Sequence, residues 1–181
     1  MSRVGRAIIE IPNGVTVSFN NNVLEVSGPK GKLTQEIKDC IKPSIEGNVL
    51  SFTRINDENE VKSLHGLYRN LANNMILGVT KGFSKSITIN GVGYKASKSG
   101  NKVVLNVGFS HPVEIEEIDG ISLACPSATE IVVSGIDKAK VGQFASAIRD
   151  IRPVEPYHAY GIYYTDEKII RKEGKTAGKK K

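Results

Sequence analysis

Four tyrosines, Tyr157, Tyr160, Tyr163 and Tyr164, stand just ahead of a run of cations. The cations are Lys168, Arg171, Lys172, Lys175, Lys179, Lys180 and Lys181, with Glu173 the single acid among them. Planar rings stack on bases and cations neutralise phosphates, so this pattern suits RNA. The charge is concentrated at one end. The formal net charge is +6 over 181 residues. Residues 168–181 carry all of it, because basic and acidic side chains balance over 1–167. A neutral body with one basic end is suited to pressing that end against a polyanion. Pro153 and Pro156 bracket the segment that leads into the tyrosines and hold it extended, since proline fixes φ and removes a donor. Arg152 comes just before them. Lys95 and Lys98, beside Gly91 and Gly93, form a second, smaller basic group. Gly, Thr and Ala scattered among the tail lysines predict a tail that orders on binding. For Tyr163, packing in a final strand over Gly161–Tyr164 competes with ligand contact.

No pattern of nucleophile, metal or cofactor chemistry emerges. Gly91-Val-Gly93-Tyr-Lys-Ala96 superficially fits a dinucleotide fingerprint, but a β pattern follows it and no helix is expected before residue 137. A glycine-rich strand entry or bulge is the better reading. Gly174-Lys-Thr176 lacks the earlier glycine of a phosphate loop, because position 169 is Ile169. His65, His111 and His158 have no metal-ligand spacing. His65 reads as a packed or surface histidine at the edge of a helix face. Glu114, Glu116, Glu117 and Asp119 read as a solvated strand edge. Cys40 and Cys125 have no CxxC partner and read as reduced packing residues of a cytoplasmic protein. The expectation is therefore no catalytic residue, no cofactor, no metal and no small-molecule substrate. Apolar runs are too short for a bilayer span, and no apolar stretch follows the basic N-terminus as a secretory signal requires.

The elements that must position the basic end come in two sets. Alternation predicts strands near Ile8–Ile11, Val15–Phe19, Val23–Val26, Leu33–Ile37 and Val49–Arg54. A helix follows from about Asp57 to Gly78, with Val61, Leu64, Tyr68, Leu71 and Met75 as its apolar face. Further strands are expected near Ser84–Asn90, Tyr94–Lys98, Lys102–Val107, Val113–Ile118, Ile121–Ala124 and Glu130–Ser134. A second helix spans about Asp137–Ile151, with Val141, Phe144, Ala145, Ile148 and Ile151 inward and Pro153 stopping it. Gly14–Phe19 is echoed by Gly120–Cys125, and Leu24–Gly28 by Ile131–Gly135, in the same order. These echoes predict an internal duplication. The fold class is α+β: two homologous domains, each a small, mostly antiparallel β-sheet packed against one α-helix, plus a basic C-terminal tail. The expected division is an N-terminal domain over 1–81, a C-terminal domain over 82–165, and the tail over 166–181. The first domain is nearly neutral, so its surface is free to face protein or solvent.

Nearly the whole chain resembles the bacterial form of the family of large-subunit ribosomal protein six. The resemblance rests on Met1-Ser-Arg-Val-Gly-Arg6, Ile11-Pro-Asn-Gly-Val15, Val26-Ser-Gly-Pro-Lys-Gly31, His65-Gly66, Asn73-Asn-Met75 and Gly78-Val-Thr-Lys-Gly-Phe83. It continues through Gly91-Val-Gly-Tyr-Lys-Ala96, Gly108-Phe-Ser-His-Pro-Val113, and Glu155-Pro-Tyr157 with Gly161-Ile162. It implies two related α+β domains and a cytoplasmic protein in the large ribosomal subunit. It implies binding to large-subunit (23S-type) rRNA near the sarcin–ricin loop and stalk base, where translational GTPases dock. Neighbouring large-subunit proteins would be further partners. The second domain and tail would carry the main rRNA contacts. The family usually reads Lys-Gly-Lys-Gly after Glu-Pro-Tyr, whereas this chain reads His158-Ala-Tyr-Gly161. On this reading Arg152, Lys168, Arg171, Lys172, Lys175 and Lys179–Lys181 meet phosphate. Tyr157 and Tyr160 stack or hydrogen-bond, and Lys95 and Lys98 are secondary. Two rivals stand beside this reading: a free-standing RNA-binding regulator that uses the same surface, and an enzyme on the α+β frame, which would need a pocket involving the Glu114–Glu117 cluster.

Overall fold

Short alternating segments joined by Gly- and Asn-rich turns make β-strand the commonest regular structure of this chain. The computed structural model describes residues 3–175. In chain order the elements are α1 (Arg3–Arg6), β1 (Ile9–Glu10), β2 (Thr16–Asn20), β3 (Val23–Gly28), β4 (Gly31–Glu36), β5 (Ile41–Glu46), β6 (Val49–Arg54) and α2 (Asn59–Thr80). Then come β7 (Phe83–Asn90), β8 (Lys95–Ser99), β9 (Lys102–Asn106), β10 (Val113–Glu116), β11 (Ile121–Ser127), β12 (Glu130–Gly135), α3 (Lys138–Ile151) and β13 (Gly161–Tyr164). The chain divides into two compact units. One runs through Phe83 and includes Gly135–Lys138; the other comprises Ser84–Ser134 and the chain from Ala139 onward.

Each unit has the same plan. The first has sheets ordered β1-β6-β5 and β2-β3-β4 with helix α2; the second has β7-β12-β11 and β8-β9-β10 with helix α3, and adds β13 beside β7. The α+β duplication is thus real, but its register differs from the one the echoed motifs imply. Gly14–Phe19 lies at β2, whose counterpart is β8; Gly120–Cys125 lies at β11, whose counterpart is β5. The same mismatch holds for Leu24–Gly28 on β3 and Ile131–Gly135 on β12. Any antiparallel strand alternates apolar and polar residues and ends in a turn residue. Such short matches report strand type rather than position.

The first core gathers Leu24, Val26, Ile41, Leu50 and Phe52 from the strands beneath Val61, Tyr68, Ala72, Met75, Ile76 and Val79 of α2. The inward stripe of α2 is rotated from the expected one, because His65 and Ala72 point in while Leu64 and Leu71 are only partly buried. His65 is 3% exposed and donates from Nε2 to the Phe52 carbonyl at 2.9 Å. Gly5 of α1 packs onto its ring so closely that a Cβ there would sit 2.5 Å from Nδ1. The helix starts two residues late because Asp57 is engaged by Arg54, whose Nη2 lies 2.6 Å away. It also runs past Gly78, which is buried within the helix and allows close approach of the Ile136 carbonyl. The left-handed residue that ends it is Gly82, at φ +77. Strand β5 escapes sequence reading because it contains Pro43. It is an edge strand, where proline is tolerated.

The buried residues of the second unit include Ile87, Ile89, Leu105, Leu123, Ile131, Val133 and Ile162 from its strands and Val141, Phe144, Ala145 and Ile148 from α3. Strand β13 pairs antiparallel with β7, setting Ile162 opposite Ile89 and Tyr163 opposite Thr88. This strand fixes where the chain leaves the sheet, and so where the basic segment begins.

Candidate nucleic-acid interface

Helix α3 ends at Ile151, and the chain must return to β13 through Arg152–Tyr160. That return is a tight loop closed by its own hydrogen bonds. The Ile162 amide donates to the Arg152 carbonyl at 2.8 Å, and the Glu155 amide to the Tyr160 carbonyl at 2.9 Å. Asn90 Nδ2 donates to the Ala159 carbonyl at 2.9 Å, tying the loop to β7. Ala159 is 3% exposed and adopts φ +61, a left-handed conformation that glycine takes at less cost.

On this loop Tyr157 and Tyr160 are exposed, at 52% and 38%. The His158 and Tyr160 rings are nearly parallel, with centroids 5.4 Å apart and planes 16° apart. Glu155 anchors His158. Its Oε1 accepts from the His158 amide at 2.6 Å and lies 3.2 Å from His158 Nδ1. Arg152, also exposed, lays its guanidinium over the Phe109 ring, 5.3 Å from the centroid, and Phe109 in turn stacks on His111. Phe109 and His111 were not among the expected contact residues. Their signal was the exposed aromatic in the Gly108-Phe-Ser-His-Pro loop, but its proximity to Arg152 arises only in the fold.

The chain after β13 is pinned before its cations begin. Thr165 donates its amide to the Ser86 carbonyl at 3.1 Å. Asp166 pairs with Lys85 at 2.8 Å, and Glu167 with Arg149 at 2.8 Å. Both cations flank the Tyr164 ring, with Lys85 Nζ 4.8 Å and Arg149 Cζ 5.2 Å from its centroid. Tyr163 and Tyr164 are accordingly half-buried strand residues rather than free rings. Further on, the Lys172 amide donates to the Pro156 carbonyl at 2.8 Å. This one bond folds the tail back and sets Arg171 and Lys172 beside the Tyr157–Tyr160 loop. Lys168, Arg171, Lys172 and Lys175 are exposed, and among the described residues none of them forms an ion pair. Lys179, Lys180 and Lys181 lie outside the described residues.

The smaller basic group divides. Lys95 is exposed at the start of β8. Lys98 is engaged within the fold, with its Nζ 2.8 Å from Glu117 Oε1 and 2.7 Å from the Leu123 carbonyl. Gly91–Gly93 is a turn leading into β8, closed by the Tyr94 amide donating to the Gly91 carbonyl. A Cβ on Gly91 would sit 2.5 Å from the Tyr94 ring, and one on Gly108 2.9 Å from its hydroxyl. The glycines therefore make room for Tyr94. The acids nearby are paired: Lys102 holds Glu116 at 2.7 Å and Glu114 at 3.4 Å.

The Lys98 ammonium, and after it the Leu123 amide, hold the Glu117 carboxyl below the usual carboxylate range. A depressed folded value contributes stability that is whole above the ordinary glutamate value, about 4.3, and is lost as pH falls through the folded value. Glu117→Gln lowers Tm near neutrality, and the gap to the unaltered chain closes on acidification below about pH 4. Thermal melts across pH check this; a gap that widens in acid refutes the assignment.

Fold and surface together define a duplicated α+β protein with one aromatic and cationic end. A family model described as ribosomal protein L6 matches residues 11–82 and 90–165, one match for each structural copy. The chain belongs to the ribosomal protein L6 family. Among its relatives is the large ribosomal subunit protein uL6 of Shouchella clausii, 54% identical over 97% of this chain and 99% of that protein. The protein of the same name from Carboxydothermus hydrogenoformans is 51% identical over the full length of both. That from Latilactobacillus sakei is 52% identical over 97% of this chain and 99% of its own.

Proposed function

We propose that this chain is a structural constituent of the large ribosomal subunit, cytoplasmic within the ribosome, and that it binds 23S-type rRNA through its second unit and tail. It contributes no catalysis. Membership of the L6 family supports the assembly, and the Lys172–Pro156 bond supports the surface, because it brings tail cations and loop aromatics onto one patch. Arg152, Lys168, Arg171, Lys172 and Lys175 neutralise phosphates and release counterions, together with Lys179–Lys181. Tyr157 and Tyr160 add stacking or hydrogen bonds, and Lys95 adds charge at one side. Lys98 joins only by releasing Glu117. Such contacts set position, while the shape of folded RNA supplies specificity.

The resemblance to the family supports a place near the sarcin–ricin loop and stalk base, beside neighbouring ribosomal proteins and docking translational GTPases. The functional division runs 1–81, 82–165 and 166–181. The near-neutral first domain faces protein, factor or solvent. Sedimentation of a cell extract at physiological salt tests the assembly: the chain travels with large subunits. Recovery in light fractions with free RNA would instead mark a free-standing regulator.

A further inference from the structure

The loop that carries Tyr157 holds two exposed rings in parallel, and the charge fixed beside His158 is negative. His158 is 71% exposed at its side chain, yet Glu155 fixes both its amide and its ring. Tyr160 is held by the Glu155 amide at its carbonyl, and the residue between, Ala159, is buried and tied to Asn90. The rings are thus preorganised by bonds that leave their outer faces in water. A phosphate is poorly served here, because the Glu155 carboxylate repels it and, among the described residues, no cation is paired with these rings in place of the lysines the family resemblance implies at 158 and 160. A neutral planar group is well served, since a base can extend an existing stack whatever its identity. Resting on the rRNA-binding reading above, we propose that the His158–Tyr160 pair takes an unpaired rRNA base as the next ring of its stack. The adjoining Arg171 and Lys172 hold the flanking phosphates.

The test uses the full chain and large-subunit rRNA, with binding measured across a salt series. Tyr160→Ala weakens binding roughly 5- to 150-fold, the range of one lost base stack. It leaves the dependence on salt unchanged, because no counterion is involved. Tyr160→Phe binds within about twofold of the unaltered chain, since the ring and not the hydroxyl is required. His158→Ala, at a more exposed position, reproduces the loss and guards against a folding artefact at 160. Lys172→Ala behaves oppositely, lowering the salt slope by about 0.7–0.9.

Three results overturn the inference: full binding by both alanine variants, a loss by Tyr160→Phe equal to that of Tyr160→Ala, or a salt slope that falls with Tyr160→Ala. If the unaltered chain binds no rRNA, the broader reading fails and this one with it. If the unaltered chain and Lys172→Ala behave as stated while both alanine variants bind normally, the stack alone is refuted.

Discussion

A chain ending at Glu167 binds large-subunit rRNA with a salt slope lower by as much as about 6, because seven cations are removed and each phosphate contact contributes about 0.7–0.9. With all seven in contact, the advantage of the full chain shrinks by about three to four orders of magnitude between about 50 and 200 mM salt. The cut belongs after Glu167 and not earlier. Asp166 and Glu167 pair with Lys85 and Arg149, so removing them would free two cations on the folded unit and confuse the reading. Filter binding of the two chains over a salt series gives both slopes. Equal slopes and equal affinities would show that the tail touches no phosphate.

Gly161→Ala destabilises the second unit by about 2–4 kcal/mol, through strain at a disfavoured φ plus steric overlap. Gly161 sits at φ +141, and a Cβ there would lie 2.7 Å from the Pro153 carbonyl oxygen and 2.7 Å from Val154 Cα. Both neighbours are backbone, so relief requires moving the return loop itself. The loop carries Tyr157, Tyr160 and the Pro156 carbonyl that anchors Lys172. RNA binding weakens as a consequence, with the rings and tail losing their shared position. Gly142→Ala is the control. Gly142 is exposed on α3 with nothing within 4 Å of the added Cβ, and the change should stabilise by about 0.5–1 kcal/mol. Thermal melts of the two variants move in opposite directions. A Gly161→Ala chain as stable as the unaltered one would mean that the loop yields easily and does not position the site.

The architecture was legible wherever one element settled its own identity. Stripes at helical spacing located α2 and α3, and alternation located most strands, because these patterns follow from burial on one face. Reading failed where distant partners decided. Pro43 hides β5 until β6 is known to lie on one side of it only. The inward turn of His65 depends on Phe52 and Gly5, which lie far away in sequence. The short echoed motifs revealed a duplication but misplaced its register, since hairpin strands resemble one another more than their positions do.

The interface shows the same split. The residue types, tyrosines followed by lysines and arginines, stand out in the sequence. Their juxtaposition does not. Lys172 meets Pro156 by folding back, Arg152 meets Phe109 across the unit, and His158 meets Tyr160 only because Ala159 takes a left-handed turn. Lys98 illustrates the converse. It looks free in sequence and is paired with Glu117 in the fold.

Ultraviolet cross-linking of purified large subunits, read by mass spectrometry of nucleotide-bearing peptides, tests the central claim most directly. Adducts should fall on the return loop and tail, within residues 152–181, with Tyr157, Tyr160 and the neighbourhood of Lys172 foremost. Subunits that contain the chain but yield adducts only from residues 1–81 would contradict it.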